Sequence, residues 1–154
     1  MGKNYWLVKS EPNAYSIEDL VKDRKTHWDG VRNYQARNFM RDDMKKGDHV
    51  LFYHSNADPT AVVGVCEVAK EGYPDFTAFD PDEKHYDPKS SEEKPTWIMV
   101  DIKLVKKLKR PVALSEIKEH PKLQNMRLVQ RGNRLSVIPV EKKEFDLIVK
   151  LSEK

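Results

Sequence analysis

At 154 residues, 38% hydrophobic and 34% charged, the chain is long enough to bury one proper core and too evenly mixed to be disordered throughout, so a single domain over 1–154 is expected. A net charge of +3 is too small to argue by itself for a polyanionic partner, and that case rests on where the 28 lysines and arginines fall. One cysteine excludes an intramolecular disulfide, and no apolar run approaches the roughly 18 residues of a membrane helix, so a cytoplasmic protein with no membrane partner is expected.

Tyr5-Trp6-Leu7-Val8-Lys9-Ser10 is aromatic and β-branched, and Glu11-Pro12 stops it, which predicts a strand apolar on both faces. Ser16 with Asp19 three residues on predicts a capped short helix ending near Arg24. Asp29 is a candidate N-cap for a helix beginning near Val31, with Ala36, Phe39, Met40 and Met44 on one side and Arg32 and Asn33 at the margin of that stripe. A helix start beside an arginine and the Trp28 indole suits an anion or a flat polar ring. The alternative is that Trp28 is core, Arg32 and Asn33 bond to nearby backbone, and Arg37 and Arg41 are a solvated face.

His49 to Ser55 reads as a second strand and Ala61 to Ala69 as its antiparallel partner, with Gly64 permitting a bulge or a close approach. Glu71 to Pro95 has prolines at intervals and no period. It is a long loop whose Tyr73, Phe76, Phe79 and Tyr86 predict packing over something. Trp97 to Val105 alternates as a strand with one wet face, and Lys106, Lys107, Lys109 and Arg110 then form a solvated strand end or a phosphate contact. A helix over Leu114 to Glu119, a turn at Arg131-Gly132-Asn133-Arg134, a strand over Leu135 to Ile138 and a helix over Lys142 to Leu151 complete the chain.

The five histidines show no metal-ligand spacing, and the acids from Asp75 to Asp87 lack the calcium-loop pattern, so neither metal nor cofactor is expected. Neither a phosphate loop nor a nucleophile elbow is present. The nearest candidate for catalysis is Lys9 with Ser10, Glu11 and His54, whose plain alternative is a surface ion pair.

Taken together, Tyr5 through Pro12, Trp28-Asp29-Gly30-Val31-Arg32-Asn33-Tyr34-Gln35-Ala36-Arg37-Asn38, Tyr53-His54-Ser55, Tyr73-Pro74-Asp75, Thr77 through Pro81, Tyr86 through Ser90 and Gly132 through Val137 resemble the EVE domain, a PUA-like family related to YTH domains. The resemblance implies an α+β fold, a small mixed β-barrel flanked by helices. It also implies a non-catalytic, monomeric nucleic-acid reader with a pocket for a modified base, more a modified cytosine in DNA than one in RNA. By position, Lys9 and Ser10 match the YTH pair at the base edge and Trp28 matches its stacking residue. Glu11, Asp29, Val31, Arg32, Asn33, Tyr53, His54, Ser55, Tyr73 and Pro74 are expected to complete the pocket, with Arg32 again, Arg37, Arg131 and Arg134 toward flanking phosphates. The rival is an amidohydrolase resembling ASCH domains that acts on a modified nucleoside.

Overall fold

The computed structural model describes residues 4–29, 31–91, 93, 95–130 and 135–154. Among these residues six strands, β1 (Tyr5–Ser10), β2 (Lys25–Trp28), β3 (His49–His54), β4 (Ala61–Pro74), β5 (Ile98–Ala113) and β6 (Val137–Val140), form one sheet in the order β2-β5-β4-β3-β1-β6. Four α-helices accompany it: α1 (Ile17–Asp23), α2 (Tyr34–Asn38), α3 (Leu114–Glu119) and α4 (Lys142–Ser152). β1 runs parallel to β3, and the other pairings are antiparallel.

The fold is α+β, but the expected barrel is corrected, because β2 and β6 stand at opposite edges of an open sheet. Alternate residues of the central strands enter two separate cores. Trp6 and Val8 of β1 and Val50 and Phe52 of β3 pack with Ile17 and Leu20 of α1 and with Met40. Leu7, Leu51 and Tyr53 pack instead with Ile117 of α3 and with Phe145 and Ile148 of α4. A barrel buries one set of alternate residues inside and turns the other outward. With helices over both faces, this sheet buries both sets without closing on itself.

Ser16 and Asp19 do form a reciprocal cap, with the Asp19 N–H donating to Ser16 Oγ at 3.1 Å and the Ser16 N–H to Asp19 Oδ2 at 2.9 Å. The chain leaves α1 through Arg24 at φ 69° and turns directly into β2. That strand was not expected, since Lys25-Thr26-His27-Trp28 has no apolar alternation. Its pairing to β5, Lys25 opposite Lys103 through Trp28 opposite Val100, makes it a strand. At Gly64, β4 shifts register against β3, and a Cβ there would lie 2.5 Å from Ile17 Cδ1, so the glycine admits α1 to the sheet. β4 and β5 run longer than expected, to Pro74 and Ala113, because they pair with each other along most of their length. The basic run therefore lies within β5, where Lys106 meets Glu153 at 3.6 Å, Lys107 meets Glu18 at 3.5 Å and Arg110 meets Glu116 at 2.8 Å. These acids make it a solvated, charge-paired face.

Candidate functional site

The end of β1, the turn before α1, β2 and a stretch of the loop between β4 and β5 enclose a cavity of about 560 Å³. Lys9 and Ser10 border it from β1 and Glu11 from just past its end, Trp28 from β2 and Asp29 from just past it, and Val31 and Arg32 from the segment before α2. Trp28 is buried against Phe52, edge to face at 5.6 Å between centroids, so its position is set by the core while it borders the cavity. Ser10 Oγ donates to the Tyr15 carbonyl at 2.6 Å, which commits its hydrogen and leaves the oxygen to accept from a ligand. The half-buried Lys9 ammonium is held below its ordinary pKa by burial. It makes no ion pair among the described residues, and Glu11 accepts instead from Asn56 Nδ2 at 2.6 Å, so the Lys9–Glu11 pair considered for acid–base work is not assembled.

Several expected residues lie elsewhere. The helix starts at Tyr34, with Asn33 as its cap, Oδ1 accepting the Ala36 N–H at 3.0 Å. Asp29 pairs with His27 at 3.4 Å and is not the cap, which corrects that expectation. Past Asn38 the backbone widens by one residue, the Met44 N–H reaching the Phe39 carbonyl at 2.9 Å, and this keeps Met40 and Met44 in the core. Tyr53 belongs to the opposite core, where burial pushes its phenol up to about 12. The Tyr73 hydroxyl bonds Asp101 and its ring carries the Lys70 ammonium at 4.0 Å, while Pro74 pairs with Ile98 at the end of β4. None of Asn33, Tyr53, His54, Ser55, Tyr73 and Pro74 borders the cavity.

Ser55 and His54 act one layer behind it. The Ser55 N–H holds the Ser10 carbonyl at 3.0 Å, and buried His54 accepts the Ile17 N–H on Nε2 at 3.0 Å, anchoring the start of α1. Burial lowers the His54 pKa below its ordinary 6.5, opposed only by the negative charge of Glu18. The folded state therefore resists the proton that the unfolded chain takes up. That contribution to stability is complete above about pH 6.5 and is lost as the pH falls toward the lower folded value. Urea midpoints should drop between pH 7.5 and 5.5, and His54→Gln, which keeps an acceptor but cannot titrate, should flatten that slope.

Arg32 borders the cavity yet is already occupied. Its Nη1 meets buried Asp75 at 3.0 Å, its Nε and Nη2 donate to the His85 carbonyl, and its guanidinium stands 5.3 Å over Trp97. Its position is that of a clamp that draws the loop against the cavity. Arg37 donates to the Thr96 carbonyl at 2.7 Å and stands over Tyr34 at 5.1 Å. Arg131 and Arg134 lie outside the described residues.

Sequence reasoning missed Tyr15, His27, Lys84, His85 and Ser136, which also border the cavity. His27 reaches the cavity through β2, a strand without a local signal; Lys84 and His85 arrive through a long loop that carries no periodic signal. Among the described residues no group of three His, Cys, Asp or Glu could hold a metal ion. Burial pushes the Cys66 thiol up to about 12, which makes it unreactive.

Human thymocyte nuclear protein 1 is 44% identical over 170 residues, covering 98% of this chain and 75% of that protein. A hypothetical protein from Leishmania major, 48% identical, has a structure that matches with a TM-score of 0.92, covering 99% of this chain and 96% of that one. Human THYN1 protein in complex with DNA containing 5-methylcytosine matches with a TM-score of 0.91 at 43% identity, covering 99% of both chains. The expected cytoplasmic location is corrected by these relatives, several of which are named as nuclear proteins. A reducing environment describes the nucleus as well as the cytoplasm, so cysteine usage could not separate them. The EVE domain pattern runs from residue 4 to residue 151 and takes in β1, the cavity and α4, and with it this chain belongs to the EVE domain family.

Proposed function

We propose that this chain is a single-domain, monomeric, non-catalytic reader that takes one modified cytosine of DNA into the cavity beside Trp28. The observation that carries this reading is the match over 99% of both chains to human THYN1 protein, whose structure is a complex with DNA containing 5-methylcytosine. Trp28 supplies the stacking surface, which tolerates any base, so selectivity falls to the polar groups around it. Ser10 Oγ, its hydrogen committed to Tyr15, accepts from the exocyclic amino group of a cytosine, while Lys9, Glu11 and Asp29 border the rest of the ring. Val31 packs against the ring edge. Asn33 and Arg32 hold the local backbone and loop and do not read the base. Phosphates flanking the site meet Lys84, Arg37, Arg131 and Arg134.

A tryptophan-fluorescence titration with matched oligonucleotides carrying plain, methylated or hydroxymethylated cytosine, at two salt concentrations, tests this. Saturable quenching selective for one modified strand and weakened by salt is the expected result. Equal response to all three strands would refute it.

A further inference from the structure

Among the described residues three aromatic side chains are exposed: Tyr34, Phe76 and Tyr86, at 61%, 51% and 41%. Tyr34 is already engaged, stacked on Trp97 at 5.0 Å and beneath Arg37. Phe76 differs in its neighbour and in its support. Its ring meets His27 edge-on at 5.2 Å, and His27 borders the cavity, so Phe76 stands one residue beyond the cavity wall. The turn that carries it, Phe76–Ala78, is locked from below. Asp75, fully buried, accepts the Thr77 N–H at 2.9 Å and also the Thr77 hydroxyl, its own N–H donates to the Trp97 carbonyl at 2.9 Å, and Arg32 pairs with its carboxylate. An ion pair to a fully buried carboxylate thus fixes a half-exposed phenyl ring against His27. Core packing does not explain why the position should be apolar.

We infer that Phe76 is a wedge that enters the DNA duplex where the modified base has left it. The inference rests on the base-reader reading and names the form of the substrate, which is double-stranded. A base held against Trp28 must have left its stack, leaving a gap between its former stacking neighbours and an unpaired base opposite. An apolar ring on a rigid turn restores stacking in that gap, as apolar side chains do between base steps. His27 lies between Phe76 and the cavity, and Lys84, which borders the cavity, is placed for a phosphate that flanks the captured nucleotide.

The test compares the full chain with Phe76→Ala and Phe76→Trp on three oligonucleotides containing 5-methylcytosine: a single strand, a matched duplex, and a duplex with a mismatch opposite the modified base. Phe76→Ala should weaken the matched duplex by about tenfold while the single strand changes by less than about twofold. The mismatch, which lowers the cost of leaving the stack, should narrow the loss, and tryptophan should restore binding. Unchanged far-ultraviolet circular dichroism and urea midpoints confirm that the variants fold. Equal loss on single strand and duplex, or no loss on either, overturns the wedge while the reader stands. If the unaltered chain distinguishes neither the methylated single strand nor the methylated duplex from its plain counterpart, measured alongside, the reader reading fails, and the wedge falls with it.

Discussion

Trp28→Ala should remove selective binding of modified DNA and should also unfold the chain more easily, by about 3–5 kcal/mol for the loss of a buried aromatic side chain. Both effects follow from one position, since the indole is 8% exposed, packs on Phe52 and borders the cavity. The stacking share alone is about 1–3 kcal/mol per base, or one to two orders of magnitude in affinity. The two are separated by Trp28→Phe, which retains much of the packing and part of the stacking surface. Its urea midpoint should lie close to that of the parent while its affinity for a modified strand falls between those of the parent and the alanine variant. An alanine variant that is still folded at the assay temperature and still discriminates modified from plain DNA would remove Trp28 from the site.

Arg32→Ala is expected to destabilise the fold by about 3 kcal/mol, because it leaves the Asp75 carboxylate in the interior without its guanidinium partner. Asp75 has no exposed surface, and Arg32 also holds the His85 carbonyl, so the same change frees the loop that closes one side of the cavity. Base binding should weaken with stability, whereas the slope of affinity against salt should stay as it was. A phosphate-binding arginine gives the opposite pattern, with stability unchanged and a salt slope smaller by about one. Urea denaturation and binding at two salt concentrations distinguish the two. Asp75→Asn, which removes the buried charge but keeps one acceptor, should cost less than Arg32→Ala.

Most elements were legible because their signals are local. The doubly apolar pattern of Tyr5–Ser10 and His49–His54 required a cover on both faces, and α1 announced itself through Ser16 and Asp19. The same double pattern carried the information that the sheet is open between two cores, yet a barrel was expected because the family resemblance implied one. β2 had no signal of its own and exists through its register with β5. Asp29 and Asn33 are both sound caps by residue type. Which one begins the helix was settled by Asp29 turning to His27 while Asn33 met the Ala36 N–H.

The sequence by itself determined the family, the two apolar faces of the central strands and the adjacency of Lys9, Ser10 and Glu11 at the end of β1, since all of these are set by residue type and short spacing. It also placed Trp28 beside a polar segment. Tertiary structure alone decided which of those polar groups remain available. Ser10 keeps an acceptor because Tyr15 takes its hydrogen, Arg32 is withdrawn by Asp75 and His85, and Tyr53 faces the other core. Lys84, His85 and Phe76 reach the cavity or its edge through a loop anchored by a buried carboxylate. A hydrogen bond or ion pair between residues more than forty positions apart is decided by folding, and no local pattern in the chain records it.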